Sequence, residues 1–117
     1  LVRNDAHSGC SQAVQKTLSY ISLHLSGELS LRSIAAALGF NATYLSAQFS
    51  RERGETLTAY IHTLRLQTAR RLLDETDLPV AEGAARVGMV DVAYFSRLFK
   101  KKYGLSPLRY RARPAEG

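Results

Sequence analysis

The chain has 117 residues, 45% of them hydrophobic, with a formal charge of +6, one cysteine and no tryptophan. That length holds one compact domain or two subdomains of about 50 residues, and the apolar content excludes a disordered chain. No apolar run nears the roughly 20 residues of a membrane span, no basic-then-apolar signal peptide opens the sequence, and the single Cys10 excludes a disulfide framework and fits a reducing cytoplasm.

Apolar spacing is helical nearly throughout, and no stretch alternates long enough for a strand, so the predicted fold is all-α with seven helices. Residues 1–10 and 113–117 read as flexible ends. Val14, Leu18, Ile21 and Leu25 mark a first amphipathic helix from about Ser11. Ser30 caps a short second helix with Leu31, Ile34, Ala35 and Leu38 inward, and Gly39 stops it. Asn41 caps a third, with Leu45 and Phe49 on one face, ended by Gly54. The longest helix covers residues 56–74, opened by Thr56 and striped by Leu57, Tyr60, Ile61, Leu64, Leu72 and Leu73. Pro79 suits the first helical position of a fifth, lined by Val80, Ala84 and Val87 and stopped by Gly88. Asp91 caps a sixth, which carries Phe95 and Phe99 and stops at Gly104; Ser106 and Pro107 open a last short helix through Leu108 and Tyr110.

Two of these helix pairs repeat. Tyr44-Leu45-Ser46, Phe49, Gly54 and Tyr60 recur as Tyr94-Phe95-Ser96, Phe99, Gly104 and Tyr110, each 50 residues on. Upstream the offset is 49, pairing Ala35 with Ala84, Leu38 with Val87 and Gly39 with Gly88, so the second copy holds one extra residue between its glycine and its second helix. In each copy a small residue lets two helices cross closely and a glycine four positions later permits the left-handed backbone of a tight turn. Residues 30–54 and 79–104 are thus predicted as two helix-turn-helix units, joined by the long helix. At 1.5 Å per residue that helix is about 28 Å long, near the roughly 34 Å between successive major grooves on one face of B-DNA.

Charge is concentrated in the second copy. Residues 1–50 sum to +1, residues 51–85 to −1 and residues 86–113 to +7, the last with eight basic side chains against Asp91 alone. A basic face on a small domain suits a polyanion, most often nucleic acid or an anionic membrane.

Residues 11–112 resemble the DNA-binding domain of the AraC/XylS family of bacterial transcription regulators. The resemblance lies in LSLRSIAAALGFNATYLSAQFSRERGETLTAYIHTLRLQTARRLL and VAEGAARVGMVDVAYFSRLFKKKYGLSPLRYR, above all in Tyr94-Phe95-Ser96-Arg97-x-Phe99-Lys100-Lys101 and Gly104-x-Ser106-Pro107-x-x-Tyr110-Arg111. Gly83 stands where the family has a large aliphatic residue, Met89 where it has an aromatic one and Ala47 where it often has arginine. The resemblance implies seven helices, the third and sixth entering double-stranded DNA. It further implies an activator that contacts RNA polymerase, works in the cytoplasm without a membrane partner, and carries a sensor or receiver domain ahead of this one.

On that reading Arg97 is the foremost base reader, because a guanidinium bonds a guanine edge at two points. Val92, Ala93 and Ser96 share its arc, and Thr43, Ser46 and Ala47, beside Ala42, form the matching arc of the first unit. Asn41, Arg51, Arg53, Lys100, Lys101, Lys102 and Arg111 are the expected phosphate contacts. Phe49, Phe99, Tyr60 and Tyr110 are core by spacing. An enzyme fits poorly: His7, His24 and His62 fall on separate elements with no ligand spacing, Cys10 has no neighbouring base, and no glycine-rich phosphate loop is present. No catalytic residue, cofactor or metal is expected. A helical protein-docking module would explain the helices but not the clustered charge.

Overall fold

The computed structural model describes residues 10–113; His7 and most of the two expected flexible ends lie outside them. Seven α-helices follow in order: α1 Gln12–Leu23, α2 Leu31–Leu38, α3 Ala42–Arg53, α4 Leu57–Glu75, α5 Val80–Arg86, α6 Val92–Tyr103 and α7 Pro107–Ala112, with no strand among the described residues. The chain divides into two compact units, and the division falls inside α4, between His62 and Thr63. Each half of the joining helix therefore belongs to one unit.

In the first unit Val14, Leu18 and Ile21 of α1, Ile34 and Ala35 of α2, Leu45 and Phe49 of α3, and Leu57 and Ile61 of α4 are buried. Ser11 caps α1 by accepting from the Val14 N–H, and its own N–H donates to Glu52 Oε1 at 2.6 Å, tying the start of α1 to the last turn of α3. Helix α1 is shorter than the apolar spacing predicts. The His24 N–H reaches both Tyr20 O and Ile21 O, and the Gly27 N–H turns back onto His24 O at 2.9 Å. Leu25 is left half-buried in the turn beyond the helix.

In the second unit the core is Leu66, Ala69 and Leu73 of α4, Ala84 and Val87 around α5, Met89, and Phe95 and Phe99 of α6, closed by Pro107 of α7. The expected stripe on α4 is thus only partly the observed one. Tyr60, Leu64 and Leu72 are half-buried, while Leu66 and Ala69 are enclosed, because one helix serves two cores with different faces. Pro79 sits one place earlier than expected, as the extended N-cap of α5 with ψ 150°, and Val80 is the first helical residue. Phe49 and Phe99 are fully buried at equivalent places in the two units, each contributing about 1.5–3 kcal/mol by leaving water. Both pair with a half-buried tyrosine, Phe49 with Tyr60 at 5.6 Å and Phe99 with Tyr110 at 5.5 Å between ring centres.

The turns repeat down to their hydrogen bonds. Gly39 and Gly88 have φ of 79° and 84°. Past them the Phe40 N–H returns to Ala35 O at 2.8 Å and the Met89 N–H to Ala84 O at 2.9 Å, while the glycine N–H groups bond Ala36 O and Ala85 O. This is the six-to-one, five-to-two pattern that closes a helix end through a left-handed residue. Asn41 and Asp91 then open the next helices by accepting from Tyr44 N–H at 2.9 Å and Tyr94 N–H at 3.1 Å. The extra residue of the second copy is therefore Val90, set between the stop and the cap and 82% exposed.

Gly83 is buried on α5, and a methyl group added there meets Leu73 Cδ2 at 3.9 Å, an ordinary contact. Gly83→Ala should therefore stabilise the fold by about 0.5–1 kcal/mol by lifting glycine's helix penalty. A raised thermal midpoint is the expected result, and a lowered one would show that the second unit has no room there.

Candidate nucleic-acid interface

Helices α3 and α6 each bury one face and expose the opposite one. At about 100° per residue, Arg97 lies about 160° from both Phe95 and Phe99, and those two rings are fully buried. Ala93, Ser96, Arg97 and Lys100, at spacings of three and four, form one outward stripe, with Val92 at its leading edge. Ala93 and Arg97 are exposed, Val92 is 36% exposed and Ser96 is half-buried. In the first unit Thr43 and Ala47 are exposed and Ser46 is half-buried, on the same stripe of α3. Each unit thus brings its expected base-reading residues together on one helix face.

The Arg97 guanidinium lies 5.7 Å from the ring centre of Tyr94. Such cation–π stacking trims the freedom of a long side chain without occupying its donors. Tyr94 and its repeat partner Tyr44 are exposed aromatic residues beside the stripe, and neither is among the expected site residues. The signal was available: both belong to the repeated Tyr-x-Ser triplet, yet neither shares the buried spacing of Phe49 and Phe99. Val90 was likewise foreshadowed only by the one-residue change of offset.

The expected phosphate contacts separate into groups. Lys100 and Lys101 are exposed on the last turns of α6, and Arg53 is exposed at the end of α3 with its guanidinium 5.4 Å from the Tyr60 ring. Arg51 donates to Gln48 Oε1 at 2.5 Å, and Gln48 in turn donates to Glu52, so this arginine is held by a side-chain chain on α3. Asn41 spends its Oδ1 on capping α3 and remains exposed.

Arg111 is placed differently from the expectation. Its guanidinium donates to Leu73 O in the last turn of α4 at 3.5 Å, and to Thr76 O at 3.1 Å and Leu78 O in the segment just beyond it. A half-buried arginine with both terminal nitrogens on backbone oxygens clamps this part of the fold together. Lys102 is exposed but lies about 140° around α6 from Arg97, off the outward stripe. Among the described residues, no group of three or more His, Cys, Asp or Glu side chains comes together as a metal site, and no helix is long and apolar enough to cross a membrane.

Two helix pairs, each closed by a glycine stop and exposing the outer stripe of its second helix, define a DNA-binding protein of the helix-turn-helix class. A family model described as a helix-turn-helix domain matches residues 34–113. The chain is 34% identical over 107 residues to the xylose operon regulatory protein of Escherichia coli K12, covering 92% of this chain and 27% of that one. It superposes on the C-terminal domain of AraT, a response regulator from Geobacillus stearothermophilus, with a TM-score of 0.87 and 37% identity, over 93% and 92% of the two chains. A solved DNA-binding domain of AdpA, in complex with a target DNA, matches with a TM-score of 0.81 and 25% identity over 87% and 92%. The chain belongs to the AraC/XylS family of bacterial transcription regulators, as a DNA-binding domain of that family. It spans between 25% and 38% of the length of eight curated relatives it matches.

Arg111→Ala should lower stability by about 1.5–3 kcal/mol, the worth of hydrogen bonds from a charged donor. It should leave the slope of log K against log salt for DNA binding unchanged. Denaturant melts and salt-titrated gel shifts on the same variant separate the two roles: a flattened slope with unchanged stability would return Arg111 to the phosphate contacts.

Proposed function

We propose that this domain binds specific double-stranded DNA sites by seating α3 and α6 in two successive major grooves, as the DNA-reading part of a transcription activator. The observation that carries the reading is the stripe on α6, where Arg97 stands exposed opposite the buried Phe95 and Phe99. Arg97 reads a guanine edge, and Val92, Ala93 and Ser96 contact thymine methyl groups or offer a hydroxyl. Thr43, Ser46 and Ala47 do the same more weakly from α3. Lys100, Lys101, Arg51, Arg53 and Asn41 grip phosphates and set the register. The 19-residue α4 carries the chain from one unit to the other, so a single polypeptide reads an asymmetric site without a two-fold operator. Regulators much longer than this chain are its relatives, which fits a sensor or receiver domain joined to it, action in the cytoplasm and contact with RNA polymerase.

The two reading helices contribute unequally. Short hydroxyls discriminate weakly, whereas a bidentate arginine is worth about 1–3 kcal/mol against a wrong base. On a site selected from random DNA, Arg97→Ala should cost about that much and relax preference at one or two base pairs. Thr43→Ala should cost less, under about 1 kcal/mol, since it loses at most one neutral hydrogen bond. Lys101→Gln should weaken all sequences alike and flatten the salt slope by about one unit. Equal weakening of every sequence by Arg97→Ala, or a larger loss from Thr43→Ala, would overturn the unequal assignment, and a flat salt response of the unaltered domain would overturn DNA binding itself.

A further inference from the structure

A second cationic site lies within the second unit, away from the outward stripe of α6. Gln67, Arg70, Arg71 and Asp74 follow one another on α4 at spacings of three, one and three, hence on one helix face. With Lys102 and Tyr103 at the end of α6 they line a cavity of about 440 Å³. Three of these six side chains are cationic. The single carboxylate among them is already engaged: both oxygens of Asp74 accept from the Tyr110 hydroxyl, at 3.0 and 2.9 Å, and Oδ1 pairs with Arg113 at 3.5 Å. Arg70, Arg71 and Lys102 thus line one cavity whose single carboxylate is shared with Arg113 and Tyr110, an arrangement that favours a bound anion.

The cavity is also ordered in advance. The Arg70 guanidinium stacks over the Tyr103 ring at 4.7 Å, and Lys102 Nζ lies 5.7 Å from the same ring centre. The Tyr103 hydroxyl is enclosed and makes no hydrogen bond among the described residues. Burial pushes its pKa up, against the opposing charge of Arg70, so the hydroxyl stays protonated and able to donate. A guanidinium fork matches the oxygens of phosphate or carboxylate.

Position separates this cavity from the DNA-reading stripe. Lys102 lies about 140° around α6 from Arg97 and about 180° from Ala93. Its partner in the repeat is Glu52, which turns inward to accept from the Ser11 N–H. The charge of the cavity is therefore not inherited from the repeat but belongs to the second unit alone.

We propose that Arg70, Arg71, Lys102, Gln67 and Tyr103 form a binding site for the phosphate or carboxylate group of a small dissolved molecule, distinct from the DNA-reading surface. The anion sits between the Arg70 and Arg71 guanidinium groups and the Lys102 ammonium, with the Gln67 amide as a neutral donor.

Nitrogen-15 spectra of the 117-residue chain, titrated with inorganic phosphate at an ionic strength held constant with sodium chloride, test this directly. The Gln67 side-chain amide and Arg70 Nε signals should shift saturably in the millimolar range, while Arg97 Nε stays still. Arg71→Gln and Lys102→Gln should each weaken the midpoint about tenfold, the loss of one charge-assisted hydrogen bond. Arg71→Gln should leave DNA affinity and its salt slope unaltered. Shifts that never saturate, or that appear equally at Lys100 and Lys101, would show only diffuse attraction of anions to a basic surface and overturn the site. A flattened salt slope in Arg71→Gln would overturn it too, by making the cavity part of the grip on the DNA backbone.

Discussion

The left-handed stop at Gly39 and Gly88 is the constraint from which the rest of the structure follows. At φ of 79° and 84° the backbone folds back so that the next amide closes on Ala35 O or Ala84 O. A side chain at either glycine would strain that conformation, which residues with a Cβ adopt at a cost of about 1–2 kcal/mol. Because the stop is sharp, the cap that follows it, Asn41 or Asp91, starts the second helix at a fixed angle. Leu45 and Phe95 then plug that helix into the first, and burial of one face decides which residues stand outward. The outward stripe is thus a consequence of a turn, not an independent feature of α3 or α6.

The two copies keep this mechanics and differ in chemistry. Phe49 with Tyr60 and Phe99 with Tyr110 pack at nearly the same spacing, and Gly54 and Gly104 end α3 and α6 with the same backbone bond. The positions outside the core have diverged instead: Ala47 stands against Arg97 and Ser50 against Lys100 on the outward stripe, and Glu52 against Lys102 off it. The first unit uses Glu52 to fasten the start of α1, whereas the second uses the equivalent place for a cation beside Arg70 and Arg71. Val90, inserted between stop and cap, lengthens only the second turn and remains exposed. The two copies share what shapes the helix pair and differ in what they present.

Much of this was legible in the sequence because the deciding interactions are local. Ser30, Asn41, Asp91 and Ser106 each cap the helix they are expected to cap, since a cap needs only a side chain three residues from an amide. The stripes on α3 and α6 followed from the period of Leu45, Phe49, Phe95 and Phe99. What escaped depends on contacts between distant segments. Arg111 sits in a basic run that suggested phosphate, yet carbonyls some 35 residues earlier in the chain take its guanidinium. Leu66 and Ala69 of α4 are buried where Leu64 was expected, because no single helical period describes a helix shared between two cores. The ring stacking of Arg70 on Tyr103 is likewise invisible to spacing alone.

The central claim is that each unit delivers one helix to the major groove. It is tested most directly by methylation interference at guanine N7, an atom exposed in that groove, on a DNA site selected by this domain. Two clusters of interfering guanines are expected, centred about 10 base pairs apart, one helical turn along the same face, with the guanine facing Arg97 among the strongest. A single cluster, or guanines at which methylation has no effect on binding, would contradict the claim.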